Sequence, residues 1–160
     1  MDMSSKHSRN PTAVSASPKA AVNTIVENSL RQLGASDVQL PQLSEIRDYL
    51  IHHPELADIV LHAARAARET IGGQAQLSLE MYLDPEVEDS YPTLCIRKDE
   101  YAEDIFNLIQ EIRSTYEPDL AGKSGWFLVT TDLCPPCASG GTEVITTMPC
   151  RTSTCCSFRD

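Results

Sequence analysis

Cys134, Cys137, Cys150, Cys155 and Cys156 are five of the six cysteines, and all stand near the end of a 160-residue chain. Hydroxyl residues are interleaved with them: Thr142, Thr146, Thr147, Thr152, Ser153, Thr154 and Ser157. Three kinds of chemistry draw on such a mixture. A structural zinc ion takes four ligands, each thiolate at ~2.3 Å, and Cys134-Pro-Pro-Cys137 has the spacing of half such a site. Cys150 with Cys155 or Cys156 is available to complete it, although these do not form a second tight pair and adjacent cysteines do not easily face one ion. A dithiol redox role needs a thiol pKa below the free value of ~8.5, usually set by a helix N-terminus, and Pro135, Pro136 and the Ala-Ser-Gly-Gly that follows start no helix. The third chemistry uses the hydroxyls as well. Elimination of an activated Thr or Ser leaves an alkene conjugated to the backbone carbonyl, and a nearby cysteine thiolate can add to it as a thioether. Thr146 and Thr147 stand before Cys150, and Thr152, Ser153 and Thr154 surround Cys155 and Cys156, which is the short spacing this reaction needs.

The remaining chemistry-bearing residues read as structural. His7 lies in a polar arm, while His52, His53 and His62 fall on expected helices; His52 and His53 directly precede Pro54, where an imidazole satisfies a helix end. The acidic stretches DPEVEDS and RKDEYAED match no calcium loop, and no Ser/His/Asp arrangement or phosphate cradle accompanies them. They read as turns and solvated faces. The glycine pairs Gly72-Gly73 and Gly140-Gly141 lack the strand-then-helix setting of a dinucleotide site. Cys95, inside the apolar run TLCI, reads as core. Nothing in this inventory points to an enzyme.

Charge and composition narrow the partners. A net charge of −10, from 23 acidic and 13 basic side chains, opposes binding to nucleic acid or an anionic membrane, both polyanions. No run of ~18 apolar residues and no signal-peptide pattern occurs, so the expectation is a cytosolic chain, in which thiols stay reduced. That favours metal binding or modification over a disulfide framework.

The elements that must position this chemistry follow from periodicity. Residues 1–18 are too polar to offset the entropy of ordering and are expected to form a disordered arm. Val22, Ile25, Val26, Leu30 and Leu33 recur at helical spacing up to Gly34; Leu43, Ile46, Tyr49 and Leu50 mark a second helix that Pro54 interrupts. Leu56, Ile59, Val60 and Ala63 mark a third that Gly72 and Gly73 end. The period then becomes two. Leu77, Leu79, Met81 and Leu83 alternate with polar residues as a strand with one buried face, and YPTLCIRK is a second strand. Asp99 is placed to cap a helix carrying Ile105, Phe106, Leu108, Ile109, Ile112 and Tyr116, EPDLAGKSG should break it, and WFLVTTD reads as a buried strand. The expected fold class is α+β: N-terminal helices, then a β-β-α-β unit over residues 19–132, followed by a linker at 133–141 and a disordered Cys/Thr/Ser-rich tail at 142–160.

The last segment, GGTEVITTMPCRTSTCCS, resembles the core peptides of class II lanthipeptides (lantibiotics) of the lacticin and nukacin group. Val144, Ile145 and Thr147, then Cys150, then Thr154, Cys155, Cys156 and Ser157 carry the likeness, which covers about the last 20 residues and carries over no ring pairing. Gly140 and Gly141 resemble the double-glycine site where such precursors lose their leader. The resemblance implies a bacteriocin-like, antimicrobial product, Thr142–Asp160, with thioether modification at Thr146, Thr147, Cys150, Thr152, Ser153, Thr154, Cys155 and Cys156. It also implies a lanthionine synthetase-type enzyme and a double-glycine peptidase and exporter as partners, no cofactor, a cytoplasmic precursor and a secreted product. Residues 76–132 separately look similar to small uncharacterised bacterial proteins, particularly cyanobacterial ones, a likeness that implies no activity. The alternative is a small cytosolic protein-interaction module whose tail binds zinc through Cys134, Cys137, Cys150 and Cys155.

Overall fold

In the computed structural model the described residues, 18–86, 89–101 and 103–136, fold as four helices and one four-stranded mixed sheet, an α+β arrangement. The order is α1 (Pro18–Ala35), β1 (Val38–Gln39), α2 (Leu43–His52), α3 (Leu56–Ile71), β2 (Gln76–Asp84), β3 (Asp89–Arg97), α4 (Ile105–Leu120) and β4 (Leu128–Thr130). The expected arm before Pro18, the expected linker from residue 137 and the whole of the expected tail at 142–160 lie outside the described residues. Pro18 itself is not in an arm but opens α1, where a proline's fixed φ and missing N–H cost nothing.

Sheet order is β1-β2-β3-β4, with β2 and β3 antiparallel and the two short outer strands each parallel to their neighbour. The register places Leu77, Leu79, Leu94, Ile96 and Val129 on one face, and these join the buried residues of all four helices in a single core. The central helix is α3, packed on both α1 and α4, and its small buried residues Ala57, Ala63, Ala64, Ala66 and Ala67 permit that close approach.

Several local expectations change. β1 is only two residues long and is not visible as a hydrophobic run. β2 does not have one buried face along its length: Ser78 is 1% exposed, whereas Leu83 is 66% exposed, because the β2–β3 hairpin extends beyond the reach of β1 and β4. Asp99 does not cap α4, which starts at Ile105 after Asp104 and without a side-chain cap. EPDLAGKSG does not break the helix at once, since α4 runs through Pro118 to Leu120. A proline so close to the C-terminus removes one backbone hydrogen bond and leaves little helix downstream to disturb.

The loop from α4 to β4 presses on the corner between α2 and α3. At Gly125 an added Cβ would lie 2.6 Å from Leu56 Cδ1 and 2.7 Å from His53 Cγ, and Leu56 is fully buried. Gly125→Ala should therefore destabilise the domain by about 1–3 kcal/mol, the usual cost of overpacking, seen as a lower denaturant midpoint. An unchanged midpoint would show that the corner can yield.

Candidate functional site

Alternation along the central strands puts polar residues on the second face of the sheet: Ser78 and Glu80 on β2, with Thr93, Cys95 and Arg97 on β3. Arg97 stands opposite Gln76 and reaches along this face, past the Ser78–Cys95 pair, to Glu80. Its Nη1 donates to Glu80 Oε1 at 2.7 Å, and Nε and Nη2 donate to Asp132 Oδ2 at 2.8 and 2.7 Å. Ser78 Oγ also donates to Glu80 Oε1, at 2.7 Å. The side chains of Arg97 and Asp132 are 8% and 3% exposed. Burial disfavours the arginine's charge, but the hydrogen bonds it donates to Glu80 and Asp132, with their negative charges, outweigh it and hold the guanidinium's pKa above its ordinary value.

Asp132 passes this anchorage on to the chain that follows. Its Oδ1 accepts the Cys134 backbone N–H at 3.0 Å, and the Tyr101 hydroxyl donates to the Cys134 carbonyl at 2.6 Å while accepting the Lys98 N–H at 3.1 Å. Between them Leu133 turns the backbone with φ of 55°, a left-handed conformation uncommon for a branched side chain. No regular structure follows β4 in residues 131–136. The chain therefore leaves the sheet at Thr130 but is held until Cys134. We term this arrangement the exit clasp.

Of the residues assigned to the thioether, cleavage and zinc sets, only Cys134 falls in the described part. It is half-buried, with its Sγ 3.6 Å from the Asp132 carbonyl. Cys137, Gly140, Gly141, Thr146, Thr147, Cys150, Thr152, Ser153, Thr154, Cys155 and Cys156 lie outside the described residues, so neither the thioether positions nor the zinc set is brought together there. Among the described residues no group of three or more His, Cys, Asp or Glu is placed to hold a metal ion. Cys95 is buried at 2% exposure, as its apolar neighbours suggested. His52 Nδ1 meets the Asp48 carbonyl at 2.7 Å within the last turn of α2.

A second constellation was not visible in the sequence. His53, Glu55 and Ser124 meet although 69 to 71 residues separate the serine from its partners. Ser124 Oγ donates to Glu55 Oε1 at 2.7 Å, which leaves His53 Nδ1 as the donor to Ser124 Oγ at 2.9 Å. A nucleophilic serine needs the opposite polarity, with its proton aimed at an imidazole nitrogen that can accept it. Here the carboxylate takes the proton's hydrogen bond, and that same bond is the main cause holding the Glu55 carboxyl below its usual range. Such a carboxylate is a poor base. The group fastens the loop before β4, together with Tyr49, whose hydroxyl accepts the Trp126 N–H at 2.9 Å and whose ring lies 4.6 Å from that of His53. Beside it, a groove of about 370 Å³ is lined by Tyr116, Leu120, Trp126, Phe127 and Leu128 and flanked by the Arg113–Glu117 ion pair.

Two measurements follow from these contacts. Replacing Arg97 by Met leaves Glu80 and the buried Asp132 without their cation and should lower stability by about 3–5 kcal/mol in chemical denaturation; a loss under ~1 kcal/mol would mean the clasp contributes little to the fold. Ser124→Ala should raise the Glu55 carboxyl pKa, followed by NMR titration. The sign is set by the folded pKa being the lower one, so the contact adds stability above the ordinary carboxylate range and loses it as pH falls through the depressed pKa. An unmoved titration would remove Ser124 as the cause.

Set against protein-family models, curated proteins and solved structures, the chain matches none of them, and the reading of its function rests on its own residues.

Proposed function

We propose that the chain is the precursor of a ribosomally synthesised, thioether-bearing peptide. In this reading residues 19–132 are a folded leader that docks the modifying enzyme, residues 133–141 are a linker containing the Gly140–Gly141 cleavage site, and Thr142–Asp160 is the core peptide. The observation that carries it is the tail's composition: seven Ser or Thr and three Cys in Thr142–Asp160, directly after a double glycine. Support also comes from the domain. Its own Ser, His, Glu, Arg and Asp clusters are occupied in holding loops and the chain exit, and its acidic surface suits recognition by a basic protein face rather than by nucleic acid.

The chemistry assigned to the core is a pair of balanced steps. The enzyme, using a phosphoryl donor, converts a Thr or Ser hydroxyl into a leaving group and removes the Cα proton as that group departs from Cβ, so the peptide loses one water overall and a Cα–Cβ double bond forms. A cysteine thiolate then adds to Cβ and the Cα carbanion takes up a proton, closing a thioether with no further change in mass. Thr146 or Thr147 is the partner assigned to Cys150, with Thr152, Ser153 and Thr154 serving Cys155 and Cys156 or remaining dehydrated.

Mass spectrometry of the chain co-produced with a lanthionine synthetase should show loss of water confined to Thr142–Asp160. Alkylation should find no reactive thiol in the released product, while the unfolded leader should still react at Cys134 and Cys137. An unmodified mass, or three alkylated thiols in the product, would overturn the assignment. A stoichiometric zinc ion lost on replacing Cys134 and Cys137 by Ser would instead favour an interaction module with a metal-binding tail.

A further inference from the structure

We infer that Arg97, Asp132 and Tyr101 act as positioning residues that fix the point from which the tail departs, and so set which tail hydroxyl is the first that a docked enzyme can reach. This rests on the precursor reading and deepens it. The last ladder residue of β4 is Thr130, yet the backbone is held for four more residues, through the Asp132 carboxylate to the Cys134 N–H and through the Tyr101 hydroxyl to the Cys134 carbonyl. The carboxylate cannot swing away, because its other oxygen is gripped twice by a buried arginine. Reach must therefore be counted from Cys134.

The count has consequences because an extended chain spans at most about 3.6 Å per residue. Thr142 is eight residues beyond Cys134 and can stand no more than roughly 29 Å from it, whereas Thr146, twelve residues beyond, can reach roughly 43 Å. An enzyme that grips the domain and keeps its reaction centre between those distances modifies Thr146 and leaves Thr142 untouched, whatever the local sequence. Opening the clasp returns the departure point to Thr130 and adds four residues, or roughly 14 Å of reach. Thr142 then comes within range.

The experiment maps modified residues by tandem mass spectrometry after co-production with the synthetase. It compares the native chain with a Gly-Ser-Gly-Ser insertion after Pro136, a Tyr101→Phe/Asp132→Ala double variant, and that double variant with residues 135–138 deleted. The native chain should be modified from Thr146 onward, the insertion and the double variant should both extend modification to Thr142, and the deletion should return the boundary to Thr146. A purely stabilising clasp would change yield but not this boundary. Because the insertion leaves the domain unaltered, it tests the dependence on reach even where the double variant does not fold, and the Cys134 amide then tests the anchorage. Hydrogen exchange supplies a readout without the enzyme: the Cys134 amide should be protected roughly tenfold or more in the native chain and lose that protection in Tyr101→Phe/Asp132→Ala. A boundary that stays at Thr146 in the insertion variant, or an unprotected Cys134 amide in the native chain, overturns the inference while leaving the precursor reading intact. A native chain with no modification at all overturns the precursor reading, and this inference with it.

Discussion

A guanidinium taken out of water must find its counter-charges inside the protein, and the domain is arranged around that requirement at Arg97. Desolvating an ion costs several kcal/mol unless hydrogen bonds and opposite charge replace the lost water. Arg97 meets the demand with two carboxylates from different places in the chain: Glu80, next door on β2, and Asp132, 35 residues further along and beyond the last strand. The first contact only reinforces a hairpin already joined by its own ladder. The second closes a long loop, since it requires α4 and the connection after it to bring β4 alongside β3 with Asp132 in reach.

The same solution recurs wherever the ladder is too short to hold itself. β1 has two residues and β4 three, so neither gains many backbone hydrogen bonds from the sheet. β1 is secured by Arg68 at the end of α3, whose guanidinium donates to the Ser36 and Asp37 carbonyls before β1 and to the Ala75 carbonyl before β2. β4 is secured on its outer side by Tyr116, whose hydroxyl accepts the Val129 N–H at 3.0 Å from a ring packed edge-on against Phe127. Long polar side chains with buried stems thus take over the work of missing strand residues. They also shield the sheet's borders: Tyr116 covers the outer side of β4, Gln42 accepts the exposed Met81 N–H, and Pro92 on β3 has none to offer, all of which discourage pairing with another strand.

That reliance on side-chain ties explains what the sequence disclosed and what it withheld. Helices α1, α2 and α3 and the β2–β3 hairpin were legible because Leu30 and Leu33, Ile46 and Leu50, or Leu77 and Leu79 repeat at periods that local geometry dictates. β1 was not, since two residues carry no period. Asp99 looked like a cap because it precedes an apolar stripe, but Lys98 and Tyr101 are drawn into the clasp and the helix cannot begin until after them. Arg97 stood near the end of the second expected strand and Asp132 at the end of the third, and no local rule joins residues that far apart. One signal was available in retrospect: Ser78, Glu80, Cys95 and Arg97 alternate with core residues, so the second sheet face carried an arginine and a glutamate with only small neighbours between them.

The residues just past the clasp sharpen its effect. Pro135 and Pro136 follow Cys134 directly and can donate no backbone hydrogen bond, so they cannot lengthen the β4 ladder. A proline also biases the residue before it toward extended conformations, and Cys134 is that residue. Paired prolines favour an extended, stiff helix of their own. Clasp and prolines therefore act in series, the first fixing where the chain leaves the domain and the second fixing for two residues the direction in which it goes. A boundary built this way separates a domain in which Arg97, Glu80 and Asp132 are committed to one another from the thiol- and hydroxyl-rich sequence that follows.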